Sequence, residues 1–452
     1  MEVEIVFEDC IKPSSPTPSH LKIYKLSLLD QFMPCVYVPM ILYYSNTNED
    51  LHRDKTLLLK QSLSRTLTQF YPLAGKITDD LSVECNDEGV LYLEARASIS
   101  LSEFLKHHDI TLLQKFLPNH SVPTPGSYVT MIQETFFDCG GFTIGIYILH
   151  SVMDGCALAS FLKAWGAMAC DESDKKMIPS FDGPSVFPNV SDFPRDLNMM
   201  ALLSNFIRVE KMNAARFVFD GSSIANLKEK VTRSGVKNPT RVEVVSALLF
   251  KSLMAALNSI SHNNDDDTPL PLAITHAVNV RRRMLPPFPE CSMGNFVCFA
   301  DTLLCGPHEE NQLSNIVCKL KESIAKINYS YVNSIQGDDG LVKLHEKMKE
   351  MISAFTSPKF YNGVNYAAFT SWCGFGLYEV DFGWGKPVWT TYAGSYGNVK
   401  SPFANHVVLM DARTGNNGIE AWVVSDEEAI SMLEGDDELL KHAYLNPTPL
   451  TN

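Results

Sequence analysis

The chain has 452 residues, 45% hydrophobic and 20% charged, with a formal net charge of −14. That length supports more than one domain with large cores, and the acidic balance excludes a general nucleic-acid or anionic-membrane surface, which Lys and Arg would have to line. Its 11 scattered cysteines, with no CxxC pair, read as buried reduced thiols rather than a disulfide framework or a metal site.

The amino-terminal MEVEIVFEDC carries no secretory signature, and the longest apolar run, Val36 to Tyr44, falls far short of the ~20 residues of a membrane span. A cytoplasmic protein without membrane insertion is expected. In chain order, residues 3–9 and 22–29 read as strands around a Pro/Ser stretch, Pro13 to Pro18, and Cys35–Tyr44 as another. Thr56–Tyr71 places Leu59, Leu63, Leu67 and Phe70 at helical spacing and stops at Pro72. Short strands fill 76–96, a helical stretch covers 101–116, and a Pro-rich loop spans 118–126.

From Phe142 the residues Ile144, Ile146 and Ile148 alternate with Thr143, Gly145 and Tyr147, which predicts a mostly buried strand ending at His150. After a turn through Ser151 to Gly155 the period becomes helical, with Leu158, Phe161, Leu162, Trp165 and Met168 on one face and Asp154 as the N-cap. Beyond Cys170 a stretch rich in Pro, Ser and Asp reads as a crossover, residues 172–212, between a first domain, 1–171, and a second, 213–452.

The second half reads as strand Ala215–Phe219, helices over 222–233 and 241–258, an acidic loop His262–Thr268, and an apolar run Leu270–Val280 ending in Arg281, Arg282 and Arg283. Strands are expected over 293–304 and 364–372, with helices over 309–327 and 338–354 between them. A Gly-rich aromatic segment, Cys373–Trp384, precedes a hairpin of Asn405–Asp411 and Gly418–Val424, and Ser425 with Glu428 forms a capping box for a final helix.

His150 and Asp154 make HxxxDG, whose spacing alone favours a core histidine and a helix cap. His262 and Asp266 repeat HxxxD in a polar loop with nothing to hold an imidazole, and carry no function. Context lifts His150: a histidine on a rigid strand end can face a cleft, and an imidazole near neutral pKa suits the removal of a hydroxyl proton.

Two further stretches, YEVDFGWGKP at Tyr378–Pro387 and HAVNVRRRMLPPFPECSMGN at His276–Asn295, join HSVMDG, LSLLDQ and FYPLAGK in order. Together they resemble the plant BAHD superfamily of acyl-CoA-dependent acyltransferases over nearly the whole chain. PSSPTPSHLKIYKLSLLDQ, FDCGG, RFVFD and TRVEVVSALLF bring the chain nearest to the branch containing vinorine synthase and salutaridinol acetyltransferase.

The resemblance implies an α/β, two-domain, chloramphenicol-acetyltransferase-like fold, each domain a mixed sheet with helices, with a segment near 365–400 exchanged into the first domain. It implies a channel with His150 midway, and transfer in a ternary complex: His150 deprotonates a hydroxyl that attacks an acyl-CoA thioester, acetyl-CoA first among them. Asp154 becomes structural and pairs with Arg281, and Asp381, Gly383, Trp384 and Gly385 form a structural turn. Trp372 is the candidate oxyanion donor. Thr240, Asn295, Thr370 and Ser371 match coenzyme A positions, with Arg282 or Arg283 for a phosphate.

The resemblance further implies no permanently held cofactor and no metal, with acyl-CoA and a small alcohol from specialised metabolism, alkaloid or terpenoid, as the expected partners and a monomer as the expected working unit. Residues near Asp30–Cys35, Phe288 and Ser353–Asn365 are expected to shape the acceptor pocket. Ser151 and Met153 depart from the Lys and small residue usual there. An amide-forming N-acyltransferase and a non-catalytic binding homologue are the alternatives on the same scaffold. Leu149 argues against a condensation domain, which carries a second His there.

Overall fold

The computed structural model describes residues 1–45, 52–78, 82–172, 177–194, 197, 199, 201, 212–261, 270–304, 312–356, 364–392, 405–413 and 417–450. β1 (Val3–Ile11) is a largely exposed edge strand, and β2 (Ile23–Lys25) is short. The strand expected over 22–29 stops there. Ser27 caps a helix, α1 (Leu28–Phe32), accepting from the Asp30 N–H while the Asp30 carboxylate accepts from the Ser27 N–H. This reciprocal capping box satisfies two amides that a strand would leave to a neighbour.

β3 (Tyr37–Tyr44), α2 (His52–Gln69), β4 (Lys76–Ile77), β5 (Ser82–Glu84), β6 (Val90–Ala97) and α3 (Leu101–His107) follow. The helix expected over 101–116 breaks at His108, whose φ of 30° ends α3, and continues as a 3₁₀ turn, Ile110–Phe116. β7 (Thr130–Phe137) escaped the sequence pattern. Its TMIQETFF is buried on both faces, with Gln133 and Glu134 in its middle, so no alternation marks it. β8 (Phe142–Leu149) and α4 (Gly155–Ala169) are the strand and helix flanking His150.

Among its described residues the crossover carries a helical turn, α5 (Gly183–Val186). Then come β9 (Met212–Phe219), α6 (Gly221–Arg233), α7 (Arg241–Ser261), β10 (Leu272–Asn279), β11 (Val297–Leu304), α8 (Leu313–Lys326), α9 (Tyr329–Ser334), α10 (Gly340–Phe355), β12 (Asn365–Ser371), β13 (Trp389–Thr391), β14 (His406–Asp411), β15 (Ile419–Asp426), α11 (Glu427–Glu434), α12 (Asp437–Leu440) and β16 (Tyr444–Leu445). α7 is long and apolar enough to cross a membrane, but Val244, Val245, Leu248, Leu249 and Phe250 place it in the core of the second sheet. The cap of α11 is Asp426, which accepts from the Glu428 N–H at 2.8 Å; Ser425 instead remains in β15 and donates to Asn405. The acidic loop with His262 and Asp266, and residues 414–416 of the hairpin turn, lie outside the described residues.

Most strands form two large mixed sheets, ordered β1-β6-β7-β8-β3-β13 and β11-β10-β12-β14-β15-β9-β16, and β2, β5 and β4 form a small third one. β6 and β7 run parallel in the first sheet, as do β10, β12 and β14 in the second. β13 leaves the second half of the chain and pairs with β3 of the first sheet, Trp389 opposite Tyr43.

Just before β13, Asp381–Gly385 turns over α4. The Asp381 carboxylate accepts from the N–H groups of Gly383 at 2.8 Å and Gly385 at 3.0 Å, both glycines with φ near 100°. Phe382 stacks edge-on to Trp165 at 4.9 Å, and Trp384 packs on Phe142 at 5.4 Å. The close approach depends on Gly166, where a Cβ would lie 2.5 Å from the Asp381 carbonyl oxygen. Gly166→Ala should therefore push the turn off α4 and cost about 1–3 kcal/mol. Thermal unfolding reads this directly; a midpoint equal to the parent's would mean that the turn is not docked as described.

Candidate active site

A cavity open to solvent lies between the sheets. The end of β8 and the start of α4 form one wall; residues of β10, β11, β12 and β14 form the other. A site walled by two sheets and filled by apolar side chains with a few polar ones is suited to a bulky organic ligand.

His150 lines this cavity. Its backbone N–H donates to Val36 of the neighbouring chain segment at 2.8 Å, so the residue after β8 is still held to the sheet. Burial lowers the imidazole pKa below its ordinary value, an effect opposed by its own carbonyl, the Asp154 charge and the Asn295 side chain. The ring is thus neutral and basic at neutral pH.

Asp154 is turned away from this chemistry. Its Oδ1 accepts from the Ala157 N–H at 2.9 Å, capping α4, and from Arg281 at 3.1 Å. Oδ2 accepts from Arg281 at 2.7 Å and from the Phe296 N–H at 3.0 Å. Arg281 is fully buried, lies over the Phe296 ring, and also donates to the carbonyls of Ser292 and Gly294. The carboxylate therefore ties the His150 turn to residues 292–296 before β11.

A second buried carboxylate grips the same residues. Asp30 accepts from the Ser27 N–H and hydroxyl at 2.8 and 2.6 Å and from the Asn295 N–H and Nδ2 at 2.6 and 2.9 Å. Burial pushes its pKa up to about 6 against those hydrogen bonds. Asn295 Nδ2 donates in addition to the His150 carbonyl at 2.7 Å. Asn295 was expected beside coenzyme A; the structure corrects this, because it is 1% exposed and its donors face Asp30 and His150. Asp30 was expected near an acceptor pocket and is likewise enclosed, while Met33 does reach the cavity. The Ser-x-x-Asp spacing of Ser27 and Asp30 is the sequence signal that could have marked Asp30 as structural, and the sequence reading passed over it.

Thr370, Ser371 and Trp372, at the end of β12, line the wall facing His150. The Trp372 indole abuts Gly155, where a Cβ would stand 2.7 Å from Nε1, so the glycine of HxxxDG gives this edge its room. Tyr392 lies edge-on to Trp372 at 5.7 Å, and its hydroxyl meets His406 Nε2 at 3.1 Å. Both also line the cavity, and the sequence pattern had singled out neither.

The remaining expected contacts lie elsewhere. Thr240 caps α7 in a reciprocal pair with Glu243, at 2.8 and 3.1 Å. Arg282 is exposed in an ion pair with Glu290, and Arg283 donates to the carbonyls of Ile324 and Ile327 at the end of α8. None of the three lines the cavity, and their contacts with coenzyme A stay an expectation. Phe288 packs on Phe296 at 5.0 Å instead of facing an acceptor, and 357–363 lie outside the described residues. The Asp381–Gly385 turn meets Phe142, the first residue of β8, whereas His150 follows the last. At ~3.3 Å per strand residue the two motifs stand roughly 25 Å apart.

A family model described as the transferase family matches residues 1–440. The chain is 41% identical to a limonoid 7-O-acetyltransferase of Citrus sinensis, over the whole of both chains. It superposes on the crystal structure of vinorine synthase with a TM-score of 0.76 and 32% identity, covering 98% of each chain. A likeness in fold extends to TRI101 of F. sporotrichioides complexed with coenzyme A and T-2, with a TM-score of 0.70 at 15% identity over 94% of this chain and 99% of that one.

Substituting Arg281→Met would leave the Asp154 carboxylate buried without its counter-charge, at a cost of about 3–5 kcal/mol. The double variant Arg281→Met/Asp154→Asn should recover part of that loss. Chemical denaturation of the parent and both variants tests the pairing; a single variant as stable as the double would refute it.

Proposed function

The chain belongs to the transferase family, the BAHD acyltransferases, and from that membership and the cavity we infer an acyl-CoA-dependent O-acyltransferase. It transfers acetyl from acetyl-CoA to a hydroxyl of a plant specialised metabolite, alkaloid or terpenoid. The limonoid O-acetyltransferase relative supports the acetyl group and the oxygen acceptor, and the coenzyme A complex of the TRI101 neighbour supports the donor. The observation that carries the reading is a neutral histidine on a rigid strand end, facing a cavity shared by both sheets. The same proposal takes the enzyme to be cytoplasmic and monomeric.

In this mechanism His150 Nε2 takes the proton of the acceptor hydroxyl as its oxygen bonds to the thioester carbon. The carbonyl oxygen becomes an oxyanion, toward which the Trp372 indole N–H donates. Thr370 and Ser371, on the same wall, meet the thioester arm of the donor. Collapse of the tetrahedral species breaks the C–S bond, and the sulfur takes the proton from the imidazolium, leaving ester and free coenzyme A. Asp154 takes no part in proton transfer, since four hydrogen bonds occupy its carboxylate.

With acetyl-CoA and a panel of polycyclic alcohols, thiol release should fall by about 10²–10⁴-fold in His150→Ala. Trp372→Phe should lower kcat by about 10²-fold. Full turnover by His150→Ala would remove the assigned base, and a product stable to mild alkaline hydrolysis would identify an amide. Because burial lowers the His150 pKa, kcat/KM should rise with pH to a plateau, its acid limb lying below the ordinary histidine value. A limb above that value would contradict the buried site.

A further inference from the structure

We infer that Tyr392, braced by His406, limits the donor to a short acyl chain: its ring closes the pocket that receives the acyl substituent, beside Trp372. This deepens the proposed function and rests on its placing of the thioester, with the carbonyl oxygen on the Trp372 indole and the sulfur arm along Thr370 and Ser371. A thioester carbon is planar, so oxygen, sulfur and the acyl substituent leave it in three divergent directions. With the oxygen at the indole N–H and the sulfur on the β12 side, the substituent is directed past the other flank of Trp372. Tyr392 occupies that flank, edge-on to the indole with ring centroids 5.7 Å apart at 85°. An oxyanion about 2.9 Å from the indole nitrogen sets its carbon about 4 Å away. A methyl on that carbon then meets the Tyr392 ring at ordinary contact, roughly 4 Å. A butyryl or hexanoyl chain would have to displace the ring.

Such a stop holds only if it cannot swing aside. Tyr392 directly follows β13, whose backbone is paired with β3 of the first sheet. His406 opens β14 of the second sheet and is paired on both sides, with Ala368 of β12 and Val424 of β15. The Tyr392 hydroxyl and His406 Nε2 share a hydrogen bond at 3.1 Å, and the two rings stand edge-on at 5.8 Å and 89°. The phenol is therefore fixed to one sheet by its backbone and to the other by its tip. Both residues are buried, and both line the cavity. Burial holds the phenol pKa well above its ordinary value, so the hydroxyl keeps its proton. Turning the ring away would give up that bond inside a buried wall, which is costly.

The far lobe of the cavity is built differently. The second sheet runs β11-β10-β12-β14, so Val297 and Phe299 of β11 lie three strands from His406. Met33 and Met199 belong to the same apolar cluster as those two residues and also line the cavity. Methionine side chains adapt to irregular shapes, and such a lobe suits a bulky alcohol. Different residues of one cavity thus give room to the acceptor and confine the acyl group.

The test uses the polycyclic alcohol of the panel that releases thiol fastest from acetyl-CoA, with acetyl-, propionyl-, butyryl- and hexanoyl-CoA as donors. In the parent enzyme kcat/KM should fall by about 10- to 200-fold from acetyl- to butyryl-CoA. Equal use of hexanoyl-CoA would overturn the proposal with no variant needed, so the series decides even if a substitution prevents folding. In Tyr392→Ala the butyryl-to-acetyl ratio of kcat/KM should rise by about 10- to 200-fold. Tyr392→Phe, which keeps the ring and loses the bond to His406, should raise it less. Phe299→Ala enlarges the far lobe and should alter KM for the alcohol while leaving the acyl ratio unchanged. An unmoved ratio in Tyr392→Ala, or an equal gain in Phe299→Ala, would refute the assignment. A change in Tyr392→Ala confined to KM for the alcohol would refute it too, and would place the ring against the acceptor. Failure of the parent to consume acetyl-CoA with any alcohol would instead defeat the acyltransferase reading, whereas chain selectivity can fail with that reading intact.

Discussion

The ion pair of Asp154 with Arg281 is buried from end to end, and the site depends on it. Removing two charges from water is costly, and the cost is offset only where geometry and additional hydrogen bonds are good. Here the guanidinium also donates to the carbonyls of Ser292 and Gly294, and the carboxylate also accepts from the amides of Ala157 and Phe296. The pair thus joins three pieces of chain remote in sequence: the turn after β8, the 3₁₀ turn that begins at Arg281, and the strap before β11. Asp30 adds a fourth, binding α1 to the same strap through Asn295. A histidine mounted on such a node has little freedom except rotation of its own ring.

The two sequence signatures divide the labour along one strand. At its far end, Phe142 of β8 is covered by Trp384, and Phe382 lies against Trp165 and Tyr44. At its near end, the Asp154 cap starts α4 and the backbone of His150 binds Val36. One motif secures where the strand begins and the other where it stops, which accounts for an aromatic, glycine-bearing turn so distant from the reacting atoms.

What sequence alone revealed followed from local periodicity. The change from alternation to helical spacing around His150 was visible because β8 and α4 adjoin in the chain. β7 was invisible because it is covered on both faces and carries Gln133 and Glu134 in its centre, which breaks an apolar run without creating an alternating one. The strand read over 22–29 failed at Ser27, where a cap outweighed the apolar character of Leu26, Leu28 and Leu29. Arg281 as partner of Asp154 came from resemblance, since 127 residues separate them. Asn295 was matched to a coenzyme A position by resemblance; the partners that the structure gives it, Asp30 and His150, lie 265 and 145 residues away, and no spacing rule reaches that far.

β13 completes the first sheet with a strand that follows β12 of the second, Trp389 to Thr391 against Tyr43 to Ile41. Each sheet is thereby stitched to the other by backbone as well as by side chains. Swinging them apart like a clamshell would tear out that strand and uncover the β3 edge, a surface prone to unwanted pairing. Traffic through the molecule must then use the mouths of the cavity, with side chains and loops yielding locally while the two walls stay at fixed separation. For the same reason the first half of the chain, expressed alone, would be a sheet lacking its last strand.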